Sequence, residues 1–436
     1  MSDYMFMLES HLSAEQSRAV AEIQTVAAEA STNLFLAGGA MRDMLGGFPI
    51  RDLDFVVEGD ATRIAKAVAH KSGAKIVAVD ETRRVAELLF PSGVSAEIGM
   101  ARREKYSKPG SKPQVTPATI YEDLRGRDFT INAIALSLNR ASRGLLLDPT
   151  NGLGDLERRE LRTVNNYALY DEPIRLLRLL RFRVRFGFTL EERTAANYAN
   201  AREAQVEKYI QPKSLLAELR HMANEVNSAE LLKVLDEEKL LALYSPALAG
   251  AKLNLAGLQK LQKVRSLIPF NIPFAADNLA LFLAVLTEKL TPKERAQLVS
   301  NTGLSAAEVA AWQRLETRAR KLEKALGSAK LQKPSHVYDA VTAAPGEEVL
   351  WVLQKSTQRL PQDRIKNFFQ KYLVTANEVT DKEVAALGFE PGTPKFVKAR
   401  KELIAQRLNG RPKKPVPPPE PAPAPVAAGA GRGARR

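Results

Sequence analysis

The sequence predicts an α+β protein: a mixed β-sheet with helices forms an N-terminal head, and an all-α remainder follows. Three observations lead there. Short apolar, strand-like runs are confined to the first 150 residues. Beyond Asp171 they give way to Leu and Ala at helical spacing, as far as about Asn409. From residue 411 the chain turns to Pro, Ala and Gly. At 436 residues the chain has room for roughly two to four domains.

In order along the chain, residues 13 to 30 read as a helix, and NLFLA at 33 to 37 reads as a buried strand running into Gly38-Gly39. AMRDMLGG is a helix ended by glycine, and LDFVV at 53 to 57 is a second strand. Asp60 caps a helix that reaches Ser72. AKIVAV, RVAELLF and VSAEIG are three further strands. By these residues alone the first 150 are α/β or α+β. YSKPGSKPQVTP is a loop, and GLLLDPTNGLGD punctuates the helices after it. Residues 411 to 436 are too rich in Pro, Ala and Gly to pack a core and are expected to be disordered.

Composition removes several chemistries. With no cysteine, disulfides, thiolate zinc sites and cysteine nucleophiles are excluded. The four histidines, His11, His70, His221 and His336, include no pair at metal-ligand spacing, so a metal would rest on oxygen. The N-terminus lacks a basic stretch followed by an apolar one, and no run of ~18 apolar residues occurs. A cytoplasmic protein without a membrane partner is expected. The net charge of +14 suits a polyanionic partner. Residues 400 to 436 hold nine Lys/Arg against two Glu, a net +7; a basic solubilising tail accounts for that half equally well.

Chemistry concentrates in three stretches. In AGGAMRDMLGGFPIRDLDFVV, Gly38 and Gly39 at a strand-to-helix turn let a phosphate approach the backbone, and Arg42 adds charge one helical turn on. Asp52 and Asp54 at i and i+2 project to the same side of a strand. Two crowded carboxylates repel unless a divalent cation lies between them; a solvated strand edge is the plain alternative. The second stretch is GRDFTINAIALSL from Gly126, in which Asp128, Thr130 and Asn132 would cap a helix if read alone. The third is DEPIRLLRLLRFRVRFGF. At about 100° per residue, Arg175, Arg178, Arg181 and Arg185 form a stripe beside the apolar one of Leu177, Leu180 and Val184. Such a stripe is either a solvated face or a phosphate and base contact suited to guanidinium groups.

Together these stretches resemble the class II tRNA nucleotidyltransferase/bacterial poly(A) polymerase family of the polymerase-β nucleotidyltransferase superfamily. Its first motif reads GGAVRD, a gap, then D-x-D. Its R-R-D-F-T-I-N-A motif matches with Gly126 for the first arginine, and DPTNGLGDLERRELRTV is similar too. The resemblance places Arg127 on the triphosphate. It makes Glu172 and Arg175 the readers of the base edge, with Arg178 and Arg181 helping to bind the nucleotide. Glu172 stands where the family has Asp, one methylene longer. Glu97, in AEIGMARREKY, lies at the family's acidic strand position, as a third acid near the metals or as a structural salt-bridge partner. The loop through Pro117 is full length, whereas relatives adding only cytidines have it shortened. Near the C-terminus, Thr393 is inserted in the family's G-x-x-P-G-P segment. No histidine-aspartate phosphohydrolase motif is present.

The resemblance implies an N-terminal helical segment (1–30), a catalytic nucleotidyltransferase head (31–150), a nucleotide-selecting neck (151–230), an RNA-binding body and tail (231–410), and the basic terminus (411–436). It implies CCA addition to the tRNA 3′ end from CTP and ATP by two-metal phosphoryl transfer with pyrophosphate release, with two Mg2+ ions on the catalytic Asp52 and Asp54, and phosphates on Gly38, Gly39, Arg42 and Arg127. Poly(A) synthesis, partial CC or A addition, and a silent RNA-binding protein are the alternatives.

Overall fold

The computed structural model describes residues 3–270 and 272–410; the terminus from 411, expected to be disordered, lies outside them. The chain divides into two compact units. Among the described residues, the first comprises 3–267, 274–323 and 345–357; the second comprises 268–270, 272–273, 324–344 and 358–410.

The first unit opens with α1 (Asp3–His11) and α2 (Ala14–Glu29). Ser13 accepts from the Gln16 N–H while the Gln16 side chain accepts from the Ser13 N–H, so both orphan donors are met and the helix starts where the sequence places it. Next come β1 (Asn33–Ala37), α3 (Gly39–Leu45), β2 (Leu53–Glu58), α4 (Ala61–Ser72, capped by Asp60), β3 (Lys75–Asp80), β4 (Val85–Leu89) and β5 (Ser95–Met100). The Lys/Pro-rich stretch read as a loop is partly a hairpin: β6 (Arg102–Lys105) pairs antiparallel with β7 (Gln114–Pro117). Both strands are polar and outside the main sheet, so they lack the apolar alternation that marks a half-buried strand.

After α5 (Ile120–Arg125) come β8 (Ala135–Ser137) and β9 (Leu146–Leu147), which complete a seven-stranded sheet of order β3-β4-β5-β2-β1-β8-β9. β2 and β5 run parallel; the other neighbours run antiparallel. One sheet face buries Leu34, Leu36, Leu53, Phe55 and Val57 with the apolar sides of α2, α3 and α4. The opposite face carries Phe35, Ala37 and Val56 with Ile120 and Leu124. Asp54 belongs to this second face by alternation. Burying apolar surface on both faces at ~25 cal/mol per Å2 makes the sheet a firm mount for the side chains at its strand ends.

The chain then becomes helical: α6 (Gly152–Arg158), α7 (Ala168–Asp171), α8 (Arg175–Phe186), α9 (Glu192–Glu203), α10 (Pro212–Asn224) and α11 (Ser228–Glu237), interrupted by the two-residue strands β10 (Glu160–Leu161) and β11 (Thr189–Leu190). Helices 255–265, 278–286, 292–302, 306–313 and 346–355 finish the unit. In the second unit, helices 334–342, 359–367, 381–386 and 394–409 and a π-helical turn at 368–372 surround a small core of Ala376, Val379, Val384, Phe396 and Ile404. No helix among the described residues is long and apolar enough to cross a membrane.

Candidate active site

At the C-terminal end of β1 the backbone enters α3 through Gly38, with φ +66° and ψ −130°, a conformation open to glycine and costly for other residues. A β-carbon there would sit 2.8 Å from the Arg127 guanidinium, and one at Gly39 would sit 3.2 Å from Asp54 Oδ2. Both glycines leave room for a charged neighbour. The Gly39 N–H donates to Asp54 Oδ2 at 3.1 Å, so turn and acid are locked together.

Asp54 lies in β2, but Asp52 lies just before the strand begins and is exposed. Their proximity is nonetheless felt: burial, and then the charge of Asp52, push the Asp54 carboxyl up, against the pull of Arg127, the Gly39 N–H and Arg42. Asp54 is also in register with Glu97 on β5, which is in register with Glu87 on β4. Glu97 still reaches solvent, yet burial of its carboxyl and the charge of Asp54 push it up to about 7.

Arg127 donates through Nε and Nη2 to Asp123 Oδ2 at 3.1 and 3.0 Å. Arg42 is buried; it donates to Asp43 and, at 2.7 Å, to Asn132 Oδ1, with Phe182 and Phe186 against its guanidinium at 5.1 and 5.0 Å. Its charge is already matched. Asp128, Thr130 and Asn132 start no α-helix: Thr130–Asn132 is a single 3-10 turn, Asp128 accepts from Asn132 Nδ2, and Thr130 donates to the buried Asp155 at 2.6 Å.

The arginine stripe of α8 is not a solvated face. Arg175 and Arg181 are buried, and each arginine of the stripe meets an acid from another segment or the preceding turn. Arg178 binds Asp128 at 2.7 Å; Arg181 binds Glu218 and Glu225 at 2.6 and 3.1 Å; Arg185 approaches Asp43 at 3.4 Å. Glu172 precedes α8 rather than belonging to it, and its Oε2 accepts from Arg175 at 2.9–3.0 Å. Its Oε1 accepts from Arg83 at 2.6 Å.

Ten of the residues singled out in the sequence line one cleft of about 770 Å3: Gly38, Gly39, Arg42, Asp52, Asp54, Arg127, Glu172, Arg175, Arg178 and Arg181. Sequence reasoning missed Arg83, Asp123 and the α10 residues Lys213 and His221, which share that cleft, and quoted Glu104 within ARREKY without giving it a role. Arg83 sits 89 positions from Glu172, and no periodicity connects a turn residue to so distant a partner.

Residues 34–162 match the profile of the poly(A) polymerase head domain. That segment is similar to the head of that family. Over 240 residues it is 35% identical to an A-adding tRNA nucleotidyltransferase of Halalkalibacterium halodurans, across 54% of this chain and 56% of that protein. Over 154 residues it is 43% identical to a CC-adding tRNA nucleotidyltransferase of Deinococcus radiodurans, across 35% and 41%. The chain thus matches about half the length of these relatives. The fold extends further: an apo CCA-adding enzyme structure superposes with a TM-score of 0.56 at 22% identity, covering 95% of this chain and 96% of that one.

The nucleotidyltransferases to which this chain is similar generally use divalent cations. The donor set fits one. Asp52 and Asp54 are both oxygen donors lining the cleft, and Asp54 carries the repulsion a cation would relieve. Among the described residues no group of three or more His, Asp or Glu is arranged to hold a metal by itself.

Proposed function

We propose that the chain is a cytoplasmic, template-independent nucleotidyltransferase that builds the CCA end of tRNA from CTP and ATP. The observation that carries this reading is the gathering of three parts in one cleft: the Gly38–Gly39 turn, the aspartate pair and the Glu172–Arg175 pair. The tRNA substrate is inferred from the names of the relatives.

In this reading Asp52 and Asp54 hold Mg2+. Bound there, it supplies Lewis acidity that lowers the pKa of the RNA 3′-hydroxyl and offsets charge on the departing pyrophosphate. The 3′-oxygen attacks the α-phosphorus, the bond to the bridging oxygen breaks, and pyrophosphate leaves. Gly38 and Gly39 let the triphosphate lie against backbone, and Arg127, aimed by Asp123, balances its charge. Arg42 acts from behind by fixing Asn132, and Arg178 and Arg181 hold the base-reading wall in place. Cytosine and adenine each present an amino donor beside a ring nitrogen. Glu172 accepts from the amino group and Arg175 donates to the ring nitrogen, whereas uracil and guanine would set a carbonyl against the carboxylate.

A second reading, addition of the terminal A alone, is favoured by the longer match to the A-adding relative, 240 residues against 154 for the CC-adding one. One assay separates the two. tRNA ending before CCA, and tRNA ending in CC, are incubated with CTP, ATP or both, and the 3′ ends are sequenced. CCA on the first substrate supports the first reading; addition only of A to the CC substrate supports the second; homopolymeric A tails would overturn both.

A further inference from the structure

The β3–β4 turn has no part in the chemistry described so far, yet it reaches the base-reading acid. Asp80 Oδ1 accepts the N–H groups of Thr82 and Arg83 at 2.9 and 3.0 Å, and Arg84 closes the turn at φ +52°. This local geometry presents Arg83 outward from the sheet. Its guanidinium spans two acids: Nε donates to Glu104 Oε1 at 3.1 Å, and Nη2 donates to Glu172 Oε1 at 2.6 Å, with Tyr106 Oη at 3.4 Å. Glu104 is itself held by Arg102 at 2.7 Å and by the Tyr106 hydroxyl. Against burial, the charges of Arg83 and Arg102 and the hydroxyl of Tyr106 bring Glu104 down to about 2, so this side of the bridge stays anionic and keeps Arg83 in place.

Glu172 needs such a hold. It lies in the turn between α7 and α8 with φ −125° and ψ 89°, outside the helix, and its side chain is one methylene longer than aspartate. Arg175 fixes only one of its two oxygens. A carboxylate gripped at both oxygens presents its remaining lone pairs in one plane.

We infer that Arg83 is a specificity-determining positioning residue: held by Glu104 and Tyr106, it orients the Glu172 carboxylate so that only a base whose Watson–Crick edge offers an amino donor beside an accepting ring nitrogen, as in cytosine and adenine, is accepted. This rests on the nucleotidyltransferase reading above. Arg83 touches no reacting atom in this role; it acts through Glu172.

The test uses the full-length protein with Arg83→Ala, Arg83→Lys and, as comparison, Arg103→Ala, which removes an exposed neighbour paired with Glu122. Single-turnover incorporation of each of the four nucleotides gives KM and kcat separately. Arg83→Ala is expected to reduce the preference for CTP or ATP over UTP and GTP by about tenfold or more, the scale on which an unpaired polar group alters selection. Incorporation of the correct nucleotide at saturation should stay within a few-fold of wild type. Arg83→Lys, which keeps a cation there, should recover part of the preference, and Arg103→Ala should retain all of it. Unchanged selectivity in Arg83→Ala, or an equal loss for all four nucleotides, overturns the inference. If Arg83→Ala melts early, Arg83→Gln gives the same comparison with the side-chain length kept. A wild-type protein that adds no nucleotide to any RNA would sink the parent reading and this one together; an active wild type with an equally selective Arg83→Ala sinks only this one.

Discussion

At Asp54 two unfavourable effects add. Burial and the charge of Asp52 both raise its carboxyl, and the Gly39 N–H and Arg127 offset them only in part. A chain selected for stability alone would have little reason to keep the pair, so Asp54→Asn is expected to separate stability from activity. Nucleotide addition should fall by more than tenfold at saturating Mg2+, while the melting temperature stays level or rises and tRNA affinity is unchanged. Calorimetry and a filter-binding titration on the same preparation check all three. Glu104 is the opposite case, because its partners overcome its burial. Its folded value of about 2 lies below the ordinary glutamate value of 4.5. The stability it confers is therefore complete above about pH 4.5 and is lost as pH falls toward 2. Glu104→Gln should cost about 3 kcal/mol at most at pH 7, with the difference from wild type shrinking through that acidic window in urea melts.

At the scale of elements, α8 shows how a pattern visible in sequence acquires a different meaning once packed. Its arginine stripe and apolar stripe were both legible from the helical period, but a solvated face and a buried ionic seam have the same period. What decides between them is Asp43, Asp128, Glu218 and Glu225, which come from other elements and meet the stripe in space. Arg181 lies deepest in this seam, 4% exposed between Glu218 at 1% and Glu225 at 4%. Arg181→Met leaves those two acids buried with only the longer contacts to Arg178 at 4.0 Å and Arg185 at 3.9 Å, and is expected to cost about 3 kcal/mol. Nucleotide preference at a permissive temperature should be unchanged; altered discrimination in the folded variant would return Arg181 to the nucleotide. The hairpin of β6 and β7 is the element composition concealed, because Lys, Pro and Gln on a peripheral ribbon carry no alternation.

For the whole molecule, charge is the property that reads most directly from composition. Residues 411 to 436 carry six Lys/Arg against one Glu, a net +5 of the total +14. Each phosphate contact releases counterions, so removing these residues should flatten the dependence of log affinity for tRNA on log salt concentration. The sequence of the added 3′ end should not change. Binding measured from about 50 to 200 mM salt on full-length and 1–410 proteins makes the comparison, and an identical slope for the two would show that these charges do not meet RNA.

By itself the sequence determined what depends on near neighbours. Ser13 and Asp60 start helices by bonding N–H groups three residues on; Gly38 is required where the chain takes a positive φ; Asp54 follows from strand alternation. The proposed reaction class was legible for the same reason, since the Gly38–Gly39 turn and the aspartate pair lie within seventeen residues of one another. The tertiary structure alone decided which charges meet. It placed Asp52 at the mouth of β2 instead of within it, joined Arg83 to Glu172 across 89 positions, and matched Arg42 with Asn132 across 90. Those pairings carry no periodicity, because an ion pair needs proximity and shared burial, and both exist only after distant segments have packed on one sheet.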